Sequence, residues 1–243
     1  MNEASPKRAC QGIDVRSIAG MLQLLEQSVP VHKRLVHTGD TVYRVGQAFG
    51  SLYVVNSGFF KMVSLSGEGR EQVVALQFKG DWIGLDGIAD GHYGCDVVAL
   101  DTGEVWGIRY EALLAAGLHT PALLIALHAA MSRALTRDHD SMSSLCTLPT
   151  DARVAGFLCY WADALSQRGL RTDQFTLRMT RAEIGNYLGM TLESVSRALS
   201  RMARSDVIRF TDKARRDIHI PQVEALTQFI QTVSAPPLDA ACP

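Results

Sequence analysis

The sequence predicts an α+β protein with an N-terminal antiparallel β-roll, one long helix, and a C-terminal winged helix-turn-helix. Three observations predict this fold class. Short runs of β-branched and aromatic residues alternate with glycine-bearing turns between Val31 and Tyr110. Apolar residues then repeat at heptad spacing over about Pro121 to Leu145. Two short amphipathic helices and a hairpin follow from Thr180 onwards.

The β-roll is indicated by closely spaced turns, which suit an antiparallel roll or barrel better than a parallel sheet. The turn signals are Gly39-Asp40, Asn56-Ser57-Gly58, Gly67-Glu68-Gly69, Gly80-Asp81 and Thr102-Gly103. A short helix is predicted ahead of the roll over residues 15–30. We assign residues 15–118 to the roll, and residues 1–14 to a flexible N-terminus.

The long helix, assigned to residues 119–147, carries a heptad seam that predicts a dimer interface. The seam consists of Leu124, His128, Met131, Leu135, Asp138, Met142 and Leu145. Asp138 would face its twin across the two-fold axis, where like charges weaken association. The alternatives are a helix lying on its own β-roll and an Asp138 that points to water. Pro149 is expected to end the helix, with residues 147–153 as the linker.

The helix-turn-helix is predicted by its caps and its buried stripe. Thr180 and Glu183 have the spacing of a capping box at the start of the first helix. Gly189 suits the left-handed backbone of the turn, and Thr191 can cap the second helix. The second helix buries a stripe of apolar residues, namely Val195, Leu199 and Met202.

The polar face of the second helix is typical of a helix that reads base edges in the DNA major groove. Arginine can bond both acceptors of a guanine, glutamate can accept from a cytosine amine, and serine can serve either partner. The exposed face carries Glu193, Ser194, Ser196, Arg197, Ser200, Arg201 and Arg204. Backbone contacts are assigned to Thr180, Arg181, Thr191, Ser194, Arg201, Lys213, Arg215 and Arg216. The alternative is an ordinary amphipathic helix pair with a solvated polar face.

The segments Val207–Phe210 and Ile218–Ile220 predict a hairpin wing behind the second helix. Its tip carries Lys213, Arg215 and Arg216, which suit phosphates. Residues 151–220 hold 12 Lys+Arg and 8 Asp+Glu, a net charge of +4, against 12 and 15 in residues 1–150, a net of −3. The basic C-terminal unit, assigned to residues 148–230, therefore suits DNA, and residues 231–243 are expected to be a flexible tail.

Composition and cysteine usage exclude several classes of protein. No apolar run is long enough to span a bilayer and no secretory signal is recognised, so no membrane partner and a cytoplasmic location are expected. The five cysteines are scattered, which argues against a disulfide framework and a metal site: Cys10, Cys95, Cys146, Cys159 and Cys242. No phosphate-binding loop, nucleophile elbow or H-E-x-x-H motif indicates an enzyme.

Together these features resemble the CRP/FNR family of regulators over residues 15–230. The stretches GDWIGLDGIADGHY (Gly80–Tyr93) and MTRAEIGNYLGMTLESVSRALSRM (Met179–Met202) are similar to the patterns of its FNR-like branch. The resemblance implies a cyclic-nucleotide-binding-like roll and a bacterial, homodimeric transcription regulator. It also implies double-stranded palindromic DNA of the TTGAT-N4-ATCAA type, with Arg197 on guanine, Glu193 on the opposite strand's amino groups and Ser196 on a thymine.

The same resemblance implies a contact with RNA polymerase through the loop Gly80–Asp90. Within it, Asp81 and Asp86 are expected to be exposed and to suit a basic partner. The alternative is a plain β-roll turn.

Two departures from the family pattern concern cofactors. Iron–sulfur members of the FNR-like branch use an N-terminal cysteine cluster and one cysteine in the roll. The N-terminal segment of this chain has only Cys10, and Trp106 stands at the roll position. No iron–sulfur cluster is therefore expected. The segment Gly84–Val98 lacks the arginine and serine that hold a cyclic phosphate, so no cAMP is expected either, because a buried unpaired phosphate is costly.

The signal is left open between three alternatives. The first is a protein that needs no ligand. The second is a response through a thiol, for which Cys95 and Cys159 are the candidates, although free cysteines are commonly buried and inert. Haem or another small molecule could use His32, His37 or His92, but no second ligand is marked by spacing. A sensor module that no longer binds DNA is the competing function, and the sequence does not distinguish an activator from a repressor.

Overall fold

The computed structural model describes residue 14, residues 17–67 and residues 69–235. The predicted flexible segment 1–14, apart from Asp14, and both Cys10 and Cys242 lie outside these residues. The first element is helix α1 (Ile18–Ser28), where a short helix is predicted. Ser17 caps it by accepting a hydrogen bond from the Gly20 N–H at 3.1 Å. Its buried face, which includes Leu25, packs on the roll and the long helix.

The N-terminal domain is the predicted antiparallel β-roll. Its strands are β1 (His32–Val36), β2 (Ser51–Ser57), β3 (Phe60–Leu65), β4 (Glu71–Gln77), β5 (Trp82–Ile83), β6 (Asp96–Ala99) and β7 (Gly103–Arg109). They form two sheets, in the orders β1-β7-β2-β5 and β4-β3-β6, and the described pairings are antiparallel. At the β2–β3 turn, Gly58 has φ +86°, and a Cβ there would lie 2.8 Å from the Gly103 Cα. Only glycine fits this close backbone approach.

Three helices connect the roll to the rest of the chain: α2 (Gly87–Asp90), α3 (Tyr110–His119) and α4 (Pro121–Thr147). Helix α4 is the predicted long helix. Its first part packs on the roll through Leu123, Ala126, Leu127 and Ala130, each buried in one cluster with Trp82 and Trp106. The second part of α4 has no buried residue, so it is available to a partner.

The C-terminal domain comprises α5 (Thr150–Ser166), β8 (Gln174–Thr176), α6 (Arg181–Tyr187), α7 (Leu192–Arg204), β9 (Arg209–Phe210), β10 (Asp217–His219) and α8 (Val223–Ser234). Strands β9 and β10 form the predicted wing, and β8 adds a third strand in the order β8-β10-β9. Strand β8 and helices α3, α5 and α8 are absent from the predicted elements.

Two predicted boundaries are wrong. Only Leu148 and Pro149 separate α4 from α5, so residues 150–153 of the predicted linker are helical. Pro149 is the N-cap of α5, a position where a missing N–H costs little. The predicted tail from residue 231 begins inside α8, which continues to Ser234 because Leu226 is fully buried under α5.

The largest core cluster joins the two domains. Val63, Val73 and Phe78 of the roll lie in one cluster with Trp161 of α5. The Trp161 ring lies 5.3 Å from Phe78 and 5.5 Å from Phe59, centroid to centroid. These aromatic contacts pack the two domains against each other. None of the helices in the described ranges is both long and apolar enough to cross a membrane.

Candidate nucleic-acid interface

The first helix of the motif, α6, begins with the predicted capping box. The Thr180 Oγ1 accepts from the Glu183 N–H at 3.2 Å, and the Glu183 Oε2 accepts from the Thr180 N–H at 2.7 Å. Gly189 has the left-handed φ of +62° that the turn needs. Gly185 is also required, although the sequence alone does not identify it, because a Cβ there would lie 2.6 Å from the Met190 carbonyl oxygen. The tight turn that aims α7 therefore depends on both glycines.

The second helix, α7, buries one side and presents the other. Thr191 caps it by accepting from the Ser194 N–H at 3.2 Å, as predicted. The predicted inward stripe is buried, with Val195, Leu199 and Met202 at most 1% exposed. Glu193 and Arg197 are exposed and Ser196 is half-buried. The three predicted base-reading residues thus lie outside the packed side of the helix, where a duplex can reach them.

The structure gives Arg201 a partner within the chain. Its Nε donates to the Asp151 Oδ2 at 2.5 Å, and a second nitrogen bonds the other carboxylate oxygen. This bidentate contact ties α7 to the start of α5. It argues against the assignment of Arg201 to a DNA phosphate, because the charge is already neutralised.

Six of the other predicted backbone residues remain available, whereas Arg181 is half-buried and its Nη2 donates to the Arg215 carbonyl oxygen at 2.6 Å. Thr180 and Thr191 are exposed at the helix starts, and Ser194 is half-buried. At the wing, Lys213, Arg215 and Arg216 are exposed, as is expected for residues that contact phosphates. Arg215 has a left-handed φ of +56°, which is uncommon for a residue other than glycine.

Helix α6 is bonded to the outer strand of the roll through Asn186. The Val73 N–H donates to the Asn186 Oδ1 at 2.6 Å, and the Asn186 Nδ2 donates to the Glu71 carbonyl at 2.8 Å. Beside it, the Lys61 Nζ lies 2.5 Å from the Glu183 Oε1. These residues are over 110 positions apart in the chain, so no local pattern marks them.

Glu183 therefore has two roles: it completes the capping box of α6, and it pairs with Lys61 of the roll. Burial alone would raise the pKa of its carboxyl group, but the hydrogen bonds from Lys61 and Thr180 outweigh burial and lower the pKa. The ionised form is thus favoured in the folded protein.

Asp81 was predicted to be exposed, and this is wrong. The residue is 9% exposed, and its Oδ2 lies 3.1 Å from the Arg137 Nη1 of α4 and 3.2 Å from the Arg168 Nη2 beyond α5. The same oxygen accepts from the Phe78 N–H at 2.9 Å. The Gly80-Asp81 turn faces the junction of the roll, α4 and the C-terminal domain, where two arginines converge. Asp86, by contrast, is exposed.

Most of the predicted dimer seam is exposed along α4. Leu135 is 59%, Met142 68% and Leu145 42% exposed, Met131 is 36% exposed, and His128 and Asp138 are also exposed. Leu124 is half-buried and lies against Gly117. The alternative of a helix lying on its own roll describes only the first part of α4.

The candidate sensor residues are scattered. Burial, assisted by Asp86, raises the pKa of the Cys95 thiol, and burial raises that of Cys159 to about 11, so both thiolates are disfavoured. The three candidate haem ligands, His32, His37 and His92, are exposed on the roll. Within the described ranges, no three histidine, cysteine or carboxylate residues gather into a metal site.

The roll does not fit a cyclic nucleotide at the segment Gly84–Val98. That segment offers the carboxylates of Asp86, Asp90 and Asp96 and no arginine or lysine. Its Tyr93 ring stacks on Tyr43 at 3.8 Å, and both rings are buried. Trp106, at the position where the family resemblance implies an iron ligand, donates its indole N–H to the Glu104 Oε1 at 2.6 Å. An indole offers iron no ligand, and the carboxylates would repel a phosphate.

Comparisons with known proteins agree with this arrangement. The family model of the Crp-like helix-turn-helix domain matches residues 152–229, and that of the cyclic nucleotide-binding domain matches residues 33–117. The transcriptional regulatory protein btr of Bordetella pertussis is 30% identical over 215 residues, which cover 88% of this chain and 87% of that protein. The fumarate and nitrate reduction regulatory protein of Escherichia coli K12 is 32% identical over 206 residues, 85% of this chain and 79% of that protein.

Among solved structures, that of FixK2 from Bradyrhizobium japonicum is similar to the present fold. Its TM-score is 0.72 at 24% identity, over 86% of this chain and 99% of that chain. This similarity concerns the fold alone.

Proposed function

Because this chain belongs to the Crp/FNR family of transcription regulators, we propose that it acts as a homodimer reading an inverted repeat of the TTGAT-N4-ATCAA type. The observation that carries this proposal is the orientation of α7. Its apolar stripe is buried, while Glu193, Ser196 and Arg197 are left outside it. The relatives are regulators rather than enzymes, and the molecule would work in the cytoplasm, where DNA is accessible.

Each base-reading residue has a proposed partner among the DNA bases. Arg197 donates to the two acceptors of a guanine, Glu193 accepts from amino groups on the opposite strand, and Ser196 contacts a thymine. Lys213 and Arg216 bond phosphates and fix the position of the helix without reading sequence.

The dimer is supported by the exposed apolar residues of α4. Leu135, Met142 and Leu145 lie on the seam of a helix whose second part has no buried residue. Pairing two such seams buries apolar side chains that one chain leaves in water. The two recognition helices would then meet half-sites about one helical turn apart, roughly 34 Å.

We also propose that neither a cyclic nucleotide nor an iron–sulfur cluster controls this protein. The stacked tyrosines, the acidic segment and Trp106 support this. Protein isolated without oxygen should then lack stoichiometric iron and sulfide. The raised pKa values of Cys95 and Cys159 argue against control through a thiol, because they disfavour the reactive thiolate.

A polymerase contact through the Gly80–Asp90 loop rests on Asp86, since Asp81 is engaged by two arginines. An exposed carboxylate suits a basic partner. A transcription assay with Asp86→Ala, at saturating operator occupancy, tests this contact separately from DNA binding.

The function itself is tested by fluorescence anisotropy on an operator duplex and a scrambled duplex at several salt concentrations. Wild-type protein should prefer the operator, and its affinity should fall steeply with salt. Arg197→Ala should lower the preference for the operator over the scrambled duplex by about 1–3 kcal/mol. Arg216→Ala should lower the affinity for both duplexes by the same factor. Equal affinity of the wild type for both duplexes would refute sequence-specific readout, and no binding to either would favour a sensor without DNA binding.

A further inference from the structure

Phe210 of the wing lies under two arginines that come from different elements. The Arg215 Cζ of the wing tip is 4.3 Å from the centroid of the Phe210 ring, and the Arg181 Cζ of α6 is 5.5 Å from it. Both distances lie within the range of a cation–π contact. One aromatic ring thus joins the start of the helix-turn-helix to the tip of the wing.

Hydrogen bonds fix the same pair. The Arg181 Nη2 donates to the Arg215 carbonyl oxygen at 2.6 Å, and the Arg215 Nη2 donates to the Ser200 Oγ at 3.2 Å. Ser200 follows Arg197 by three positions on α7, so it lies on the same side of that helix. Arg215 is therefore drawn from the wing towards the base-reading face.

Two like charges held together in this way repel each other. Among the described residues, no carboxylate forms an ion pair within 4.0 Å with either guanidinium. Burial and the charge of Arg215 lower the pKa of Arg181, and Asp212 opposes them only from a distance. A phosphate would relieve this repulsion, because guanidinium groups bind phosphate oxygens through several N–H donors at once.

We propose that Phe210 is a positioning residue that holds Arg181 and Arg215 as one binding pair for a DNA phosphate beside the recognition helix. This inference rests on the proposed function. A ring face engages the guanidinium through its π-electrons and leaves N–H donors at the guanidinium edge for the phosphate. Phe210 would thus influence DNA binding without touching DNA.

The test compares Phe210→Leu, Phe210→Tyr and the double variant Arg181→Gln/Arg215→Gln on operator and scrambled duplexes. Phe210→Leu should lower the affinity for both duplexes about two- to tenfold, which is the range expected when cation–π contacts are lost. It should also lower the slope of log K against log salt by about 1 to 2, one unit per phosphate contact. Phe210→Tyr keeps an aromatic face and should bind like the wild type.

The matched control is Arg209→Gln on the same strand. Arg209 is exposed and paired to Asp206 at 2.8 Å, so its loss should leave the salt slope unchanged. In the Arg181→Gln/Arg215→Gln background, Phe210→Leu should cause no further loss of affinity. A merely structural wing residue would weaken binding by the same factor in both backgrounds, and that result would overturn the inference.

The remaining outcomes are also decisive. If Phe210→Leu lowers the melting temperature so far that binding cannot be measured, the arginine double variant decides, and an unchanged salt slope there overturns the inference. If the wild type binds neither duplex, the proposed function fails. If the wild type prefers the operator while Phe210→Leu keeps the full salt slope, only the role of Phe210 fails.

Discussion

Replacing Asp81 with alanine should destabilise the protein strongly although the residue is far from α7 in the chain. The carboxylate lies at the junction of the roll, α4 and the C-terminal domain, where it faces Arg137 at 3.1 Å and Arg168 at 3.2 Å. Alanine removes the only carboxylate that pairs with either arginine among the described residues. Both guanidinium groups then remain at the junction without a counter-charge.

The magnitude follows from the exposure of each partner. Removing one member of a buried ion pair costs about 3–5 kcal/mol, because an uncompensated charge stays behind. The Arg168 side chain is 7% exposed and has little access to water, whereas Arg137 is 29% exposed and can turn outwards. We therefore expect Asp81→Ala to lower the free energy of unfolding by about 3 kcal/mol, the lower end of this range. The melting temperature should fall by roughly 6–12 °C.

The assay is urea unfolding followed by tryptophan fluorescence, since Trp161 lies in the core shared by both domains. The matched control is Asp90→Ala, an exposed aspartate of α2, which should change the free energy of unfolding by no more than about 0.5 kcal/mol. Combining Asp81→Leu with Arg137→Met and Arg168→Met should recover most of the loss, because apolar replacements of a buried ion cluster are often neutral.

An Asp81→Ala protein that unfolds within about 0.5 kcal/mol of the wild type would refute the reasoning, since a solvated carboxylate would give that result. A strongly destabilised variant would mean that any loss of transcription in Asp81 variants reflects stability. It could not then be attributed to a lost polymerase contact.

Three further predictions follow from contacts in α4 and α6. In the proposed dimer Asp138 would face its twin, so Asp138→Ala should tighten association by removing this like-charge pair. Sedimentation equilibrium measures the change, and unchanged association would place Asp138 off the seam. The pKa of the Glu183 carboxyl group is lowered from its ordinary value of 4.5 in the folded protein. Ionised Glu183 therefore stabilises the fold fully above pH 4.5, and this contribution is lost as the pH falls through the folded-state pKa. Glu183→Gln should therefore lose less stability than the wild type on acidification from pH 6, in urea titrations at each pH; parallel curves would contradict this. Gly185→Ala should cost about 1–3 kcal/mol and weaken operator binding in anisotropy titrations, because its Cβ would meet the Met190 carbonyl oxygen at 2.6 Å. Gly156→Ala, whose Cβ meets nothing within 4 Å, is the control, and equal loss in both variants would refute the steric argument.

The helix-turn-helix could be predicted from sequence because its determinants are local. The capping box of Thr180 and Glu183 spans three residues, and Gly189 marks the turn by its backbone freedom alone. The buried stripe of α7 repeats with the helical period. Nothing distant is needed to recognise these features, and the structure reproduces each of them.

The failures concern contacts between distant segments. An aspartate after a glycine suggests a solvated turn, and only the fold brings Arg137 and Arg168 to Asp81. Likewise, Asn186 is an unremarkable polar residue of α6 until the roll is placed beside it. The boundary errors at Pro149 and Ser234 have a similar cause. Helices α5 and α8 are stabilised by packing against the core, and this packing outweighs the local preference for a linker or a tail.

The contact made by Asn186 has a consequence for how the domains can separate. Strand β4 pairs with β3 alone among the described strands, so one row of its peptide groups faces outwards and would accept a foreign strand. The Asn186 carboxamide occupies two of these groups, at Glu71 and Val73, in the way that the next strand of a sheet would. Swinging the C-terminal domain away would uncover that row and invite self-assembly into larger aggregates. The packing of the C-terminal domain on the roll therefore protects this exposed strand edge from pairing with another chain.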